Sequence, residues 1–586
     1  MFEKEQNDLQ NQIITILQEE GFTTNTLRWS WIPFSGHWGL STSFFEIVSK
    51  AKTKIDTPVA EQAKRLAEKV HAKLTMPTAF SHAEVVKGYL NIYFETSIYA
   101  RQVVDQILEK QLNFGRGASL GQKVLIEFSQ PNTHKAFHVG HLRNMVIGDA
   151  VARIIEFSGC EVIRANYLGD IGLHVITWLW NYLKNHALEQ PPATGKTRWI
   201  GDLYAEAVRN RELSPENEAE VRELFKQWDD RQPDIVALWE RTRSWSLEAF
   251  NEMYSTLGIT FDKLYYESEV EESGKQLVEE LIKSGLATDE RPVGAVIIDL
   301  DRILGTKEEF RVVVILRSDG TSLYATKDIP LAIKKFEEFK PDKSIYVIDV
   351  RQSLYMKQIF KILDLMGYHE WAKKCFHLAY EIVNLPGNVT IASREGAVVL
   401  LEDLIREAEK RALEIVELKN PELSDTFKRQ VAHEVALGSI KYSLLSRDTT
   451  KLITFDWESA LDVNGQAAPY IQYAAVRANS ILRKVQFTLP NPIDPGYTLS
   501  QQEIELIELL SRFPREVQRA ASEMKPHFIT TYSYDLAKAF SSFYTNCPVL
   551  QENDLVQKFR LRLTAATKQT IENALNLIGI FAPTIM

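Results

Sequence analysis

Apolar positions recur at helical spacing over residues 9–19 and 59–74, and β-prone segments follow at 83–86 and 89–94. A further helical run ends at Leu112, and the glycine-rich segment 115–121 reads as a linker. Beyond it the period changes. Residues 124–126 are a short apolar run, 142–157 are amphipathic at helical period, Ser158-Gly159 is a helix stop, and 161–168 read as a second strand. This spacing predicts one βαβ unit of a parallel sheet. A long helical stretch over 174–256, rich in Trp, Leu and charge, is broken at 189–195. Residues 261–290 and 293–301 read as an α/β segment leading back to the sheet. Strands at 310–316 and 344–348 are expected to flank a helix starting near Thr326, and a helix over 356–366 closes this part. From Val398 onward the pattern is almost wholly helical, interrupted by a proline-rich loop at 489–495.

At 586 residues the chain has room for three or four domains. Its 45% hydrophobic and 25% charged content is that of a globular protein, and no run of 18 apolar residues offers a membrane span. Residues 1–8 are acidic and polar, which fits neither a secretory signal nor a transit peptide. Cys160, Cys375 and Cys547 lie far apart without metal-ligand spacing, so no zinc site is expected and a cytoplasmic location is. The net charge of −10 taken alone speaks against a nucleic-acid partner. Local basic clusters do occur, at Lys64, Arg65, Lys69 and Lys73, at Arg477, Arg483 and Lys484, and at Lys558, Arg560, Arg562 and Lys568. Each by itself is more often a solvated helix face than a binding surface.

The chemistry concentrates between the first strand and its helix. His138 and His141 flank Gly140 where that helix begins. A helix start offers unpaired N–H groups and partial positive charge, two imidazoles add directed donors, and Gly140 leaves room for a flat base. A nucleotide site at a strand end is the expectation. Glu127 sits in an otherwise apolar strand, where a carboxylate is costly to bury unless something pairs it; a cationic substrate would. Asp328 lies at another strand-to-helix junction, and two carboxylates converging from two halves of a sheet suit a planar guanidinium better than an ammonium. Read singly, Glu127 is equally a solvent-facing strand end, Asp328 a helix-start acid and Tyr324 plain packing.

The string from Ser129 through Asn132, Lys135, His138, Gly140 and His141 to Arg143, with the segment Arg164 to Asp170, resembles the arginyl-tRNA synthetases of class I. Gly88 to Asn91, Ile440 to Tyr442, Phe455 to Trp457, the segment 469–477 and the ending 577–586 resemble their flanking domains. The resemblance implies a Rossmann-type parallel-sheet catalytic domain at 119–388, with insertions at about 174–256 and 271–322. It also implies an α+β N-terminal tRNA-binding domain at 1–118, a signature loop and connecting helices at 389–455, and an all-α anticodon-binding domain at 456–586. The implied activity is ATP-dependent activation of L-arginine to arginyl-adenylate and its transfer to tRNA(Arg), with Mg2+ accompanying the nucleotide, in a cytoplasmic monomer. Glu127, Asn132, Tyr324, Asp328 and Gln352 match the family's arginine-binding residues, and His138, Gly140 and His141 its nucleotide-binding ones.

The family's second signature, Lys-Met-Ser-Lys-Ser, matches the segment 390–396, where Thr390 and Ser393 stand in place of both lysines. Only Ser393, Arg394 and Gly396 keep the arginyl pattern there, as further nucleotide-binding residues. Lys135 is the first candidate for the missing catalytic charge and Arg394 the second. His174 stands where many relatives have Gln, with no role assigned. The absent lysines leave a second reading open, a non-catalytic paralogue that binds tRNA or senses arginine. A dinucleotide-binding dehydrogenase fails, because no Gly-x-Gly-x-x-Gly follows the first strand.

Overall fold

The computed structural model describes residues 2–50, 57–385, 389–390, 400–486, 488, 492–551 and 553–586. They fall into two compact units, Met1–Phe114 with Ala474–Pro514 and Tyr534–Asn573, and Gly115–Tyr473 with Arg515–Ser533 and Ala574–Met586.

In the first unit an antiparallel sheet orders its strands Trp29–Trp31, Gly39–Ser43, Tyr89–Phe94, Phe80–Val86. Helices Glu3–Glu19, Val59–Lys73 and Thr96–Lys110 accompany it. The first two strands escape the periodicity reading because they are short and sit among Gly, Ser and Pro. Two buried charges in this unit are paired: Arg562 with Asp105, and Glu503 with Arg560, whose Nε lies 2.8 Å away.

The second unit is built on a five-stranded parallel sheet, ordered Cys375–Tyr380, Lys343–Asp349, Lys123–Glu127, Glu161–Leu168, Lys263–Tyr266. Numbered along the chain this is 5-4-1-2-3, a doubly wound sheet whose connections diverge between the first and fourth strands. Such a divergence opens a crevice at the carboxyl ends of the strands. Leu125 and Ile126 in the central strand and Ile345 and Val347 beside them are fully buried, as a sheet covered on both faces requires.

Two sequence expectations change. Val312–Leu316 pairs antiparallel with Val296–Asp299 in a separate three-stranded sheet that also holds Thr288–Asp289. Val313 and Ile315 are buried and Val312 and Val314 exposed, the alternation of a one-sided antiparallel strand. The strand Cys375–Tyr380 was not anticipated; it is an edge strand with only Leu378 and Tyr380 buried, which weakens its apolar signal. The stretch 174–256 resolves into Leu173–Asn181, Lys196–Glu212, Pro215–Asp229 and Pro233–Leu257, whose Trp178, Trp180, Trp228, Trp239 and Trp245 share one core.

The helix Val139–Phe157 lies against the loop following the central strand. A Cβ at Gly148 would come within 2.2–2.5 Å of Phe128 ring and Cβ atoms. Gly148→Ala is therefore expected to cost about 1–3 kcal/mol through overpacking, read as a lower urea midpoint with an unchanged m-value.

Candidate active site

The loop from Phe128 to His138 turns the central strand into the signature helix within a few residues, using left-handed backbone at three non-glycine positions. Ser129 has φ 78°, Gln130 51° and His134 60°. Each of these strained residues is held by a side chain from elsewhere. Ser129 N donates to Asn144 Oδ1 (2.5 Å), Gln130 N to Asn166 Oδ1 (3.0 Å) and His134 N to Ser246 Oγ (3.0 Å). His134 is fully buried between the Thr133 and Thr242 hydroxyls, and burial pushes its imidazole down to about 3, so it is a neutral structural peg. Tyr254 joins the set, its hydroxyl 2.8 Å from Ser129 Oγ and 2.9 Å from Asn166 Nδ2. Thr242, Ser246 and Tyr254 all belong to Pro233–Leu257.

At the helix start the two signature histidines form a reciprocal cap. Gly140 N donates to His138 Nδ1 (3.1 Å), and His138 N donates to His141 Nδ1 (3.2 Å). Because each Nδ1 accepts, each ring carries its proton on Nε2. Burial and the nearby Lys135 hold His138 down to about 4, and burial, His138 and Lys135 hold His141 well below its ordinary range. Both are neutral N–H donors at physiological pH. A Cβ at Gly140 would stand 2.8 and 2.9 Å from Cε1 and Nδ1 of the His138 ring, so a side chain there would push that ring aside. Lys135 extends 4.9 Å from the centroid of Tyr204 on the inserted helix Lys196–Glu212. Its burial lowers the ammonium's affinity for its proton.

Arg143, 1% exposed, reaches from the same helix to four carbonyls, those of Glu381, Ile382, Thr449 and Lys451. Burial lowers it to about 10, still charged. It thereby fastens the signature helix to the two segments that lead into the strand Val383–Leu385 and its parallel neighbour Ile453–Thr454. Ser393, Arg394 and Gly396 lie outside the described residues.

At the crevice between the first and fourth strands lies a cavity of about 340 Å³. Glu127, Asn132, Tyr324, Asp328 and Gln352 all line it, although they come from two separate βα junctions and a later turn. Glu127 is 3% exposed, so it is no solvent-facing strand end. It already has partners within the protein: Lys335, 0% exposed, ion-pairs with its Oε2, and Gln130 Nε2 donates to Oε1 at 2.7 Å. Lys335 lies seven positions after Asp328 on the helix Tyr324–Phe339, hence on the same face. That heptad spacing was the one signal by which sequence could have found it. Tyr324 is 72% exposed at the rim and is not core packing.

Asp328 accepts from Tyr355 Oη (2.5 Å) rather than capping its own helix. Burial pushes its carboxyl up to about 7, with Glu127 and Glu267 adding to the rise and Tyr355 and Lys335 opposing it. Glu267 is paired with Lys327 Nζ at 2.5 Å. Three carboxylates thus meet two ammonium groups, and of the three Asp328 alone has no ion-pair partner among the described residues. Asp170, at the end of the second strand, is fully buried and held by Arg243 and by the Ser268 amide and hydroxyl. His174 is neutral, lowered to about 3 chiefly by burial, and its Nε2 is buried without a hydrogen-bond partner.

A doubly wound sheet with a His-x-Gly-His helix start at the carboxyl end of its first strand is the catalytic architecture of class I aminoacyl-tRNA synthetases. Residues 103–457 match the family of class I tRNA synthetases (R), catalytic domain, and residues 471–586 match the DALR anticodon binding domain. The arginine–tRNA ligase of Bdellovibrio bacteriovorus is 37% identical over 503 residues, covering 84% of this chain and 85% of that one. That of Clostridium perfringens is 36% identical over 525 residues, covering 88% and 89%. The arginyl-tRNA synthetase of Thermus thermophilus superposes with a TM-score of 0.76 at 27% identity, over 99% of this chain and 100% of that one. The chain belongs to the arginyl-tRNA synthetase family.

Removing one partner of a buried ion pair leaves an uncompensated charge. Lys335→Met is expected to destabilise the fold by about 3–5 kcal/mol, and Glu127→Gln with Lys335→Met together to recover most of that loss. Urea unfolding of the two variants at neutral pH checks this.

Proposed function

We propose that this chain is an arginine–tRNA ligase that binds arginine in the 340 Å³ cavity and ATP against the His138–His141 helix start. The observation that carries the arginine assignment is the charge balance. Glu127 is balanced by Lys335 and Glu267 by Lys327, which leaves Asp328 to receive one external cation. A guanidinium supplies that charge and five N–H donors in a plane; an ammonium supplies only a point charge with three. Asn132 and Gln352 are assigned to the α-amino and carboxylate groups of the substrate, and Tyr324 to the rim over them.

In the first half-reaction the arginine carboxylate attacks the α-phosphate of ATP, and pyrophosphate leaves. The attacking group is already ionised, so no general base is required, and the protein's contribution is alignment and charge stabilisation. The two Nε2–H groups of neutral His138 and His141 suit phosphoryl oxygens, and Lys135 supplies positive charge in place of the lysines missing from 390–396. Arg394, Ser393 and Gly396 are assigned to the same nucleotide. Mg2+ enters with the ATP phosphates as part of that substrate. In the second half-reaction the terminal ribose hydroxyl of tRNA(Arg) attacks the adenylate carbonyl, and AMP leaves. Residues 471–586 are assigned to the anticodon and 1–118 to the corner of the tRNA. No helix among the described residues is long and apolar enough to cross a membrane. The free thiols Cys160, Cys375 and Cys547 suit a reducing cytoplasm, and a monomer is the state carried over from the resemblance.

Purified protein with ATP, Mg2+ and total tRNA is expected to attach labelled arginine and not lysine; failure to charge with arginine would sink the proposal. Lys135→Ala should lower the adenylation rate by about 10²-fold with little change in arginine KM.

The arginine KM should also depend on pH with a definite sign. Asp328 faces Lys335 on its own helix, Glu127 on the central strand, Tyr167 on the next, Glu267 on Glu267–Lys283 and Tyr355 on Ser353–Leu365. Its carboxyl is raised to about 7, so the empty cavity favours the protonated form in acid, while a bound cation favours the ionised form. Arginine KM should therefore be flat above about pH 7 and rise by up to about tenfold per unit below it. Asp328→Asn should show a high KM without that slope.

A further inference from the structure

Tyr167 stands next to the carboxyl end of the second parallel strand, Glu161–Leu168, and lines the cavity. Along that strand Asn166 turns the other way, holding Gln130 N and the Tyr254 hydroxyl, so Tyr167 is the strand's contribution to the cavity wall. Its hydroxyl oxygen is buried and has no hydrogen-bond partner among the described residues. Burial and the negative neighbours Asp328, Glu267, Glu127 and Asp170 push the phenol well above its ordinary range, so it is a neutral hydroxyl. Folded proteins rarely leave such a group unmatched, and one facing a ligand cavity marks a contact that the ligand completes.

The acceptor count identifies the contact. Both oxygens of Glu127 already accept, one from Lys335 and one from Gln130, and Asp328 Oδ2 accepts from Tyr355. Of the roughly eight lone-pair sites on these two carboxylates three are thus used; a planar guanidinium has five donors fixed in direction that cannot all turn toward the rest, whereas an ammonium has three that rotate freely. We infer that the Tyr167 phenol oxygen accepts a hydrogen bond from the substrate guanidinium and so contributes to the selection of arginine over lysine. This rests on the cavity being the arginine site.

The test is Tyr167→Phe in the full chain, beside Asp328→Asn, measured by aminoacylation of tRNA(Arg), with lysine as a competitive inhibitor, and by thermal melts with and without arginine. Tyr167→Phe removes only an unpartnered hydroxyl, so the melt of the free protein should stay in place or rise. Arginine KM should increase about ten- to a hundredfold, the scale of a hydrogen bond to a charged group. The arginine-induced rise in melting temperature should shrink, and the lysine inhibition constant should not change. Equal effects on arginine and lysine, or none on either, would overturn the inference. If Asp328→Asn raises arginine KM while Tyr167→Phe does not, Tyr167 alone is misassigned. If Asp328→Asn leaves arginine KM untouched, the arginine pocket lies elsewhere and both assignments fall.

Discussion

The structure of the catalytic unit turns on one constraint: the central strand must give way to the signature helix within a short loop without losing its place in the sheet. The chain meets it with left-handed backbone at Ser129, Gln130 and His134, none of them glycine. Such residues cost about 1–3 kcal/mol each and persist only where the surroundings over-determine them. Here the surroundings are Asn144 from the signature helix, Asn166 from the neighbouring strand, and Ser246, Thr242 and Tyr254 from the last inserted helix. The insertion is thus part of the site's scaffold. Its helix Lys196–Glu212 comes so close that a Cβ at Gly201 would stand 2.6 Å from that of Ala136, beside Lys135.

The loop and helix start divide two kinds of electrostatics. On the nucleotide side, burial strips His138 and His141 of charge and their mutual cap fixes the tautomer, leaving preset dipoles rather than ions. Oriented neutral donors need no reorganisation as charge moves onto phosphoryl oxygens. On the amino-acid side there are three carboxyl groups, two of them already in ion pairs within the protein and the third, Asp328, raised to about 7 and left open. Glu127, at the end of the central strand, lines the cavity, and Gln130 in the loop holds one of its oxygens.

What was legible in the sequence follows from how local each signal is. The strand, loop and helix around His138 are contiguous, and the change of period from the apolar run to the amphipathic one marks them, so that unit is found in place. Glu127, Asn132, Tyr324, Asp328 and Gln352 were drawn from resemblance, and the fold brings them to a single cavity wall. The partners were not legible. Lys335 reads as an ordinary helix lysine until the helix is docked on the sheet, and Glu267 with Lys327 is a pair 60 positions apart. Tyr167 reads as a strand aromatic, and its unpartnered hydroxyl at the cavity, a trait it shares with Tyr346, shows only in three dimensions. The segment 310–316 shows the same limit for the fold: its strand character is local, but its partner is chosen by pairing across the chain.

The closed pairs in the cavity also separate two salt responses within one protein. Lys335 with Glu127 and Lys327 with Glu267 are shielded from solvent, beyond the reach of mobile counter-ions that act over about 8 Å at physiological ionic strength. The attraction of the ionised Asp328 for a cation bound beside these pairs therefore changes little as salt rises. The outer surface, with exposed basic residues such as Lys64, Arg65, Lys69 and Lys73, is screened by the same salt. A small cationic ligand and a polyanionic one thus answer to different parts of the solvent: the first to the local dielectric of a walled crevice, the second to the ion atmosphere outside it.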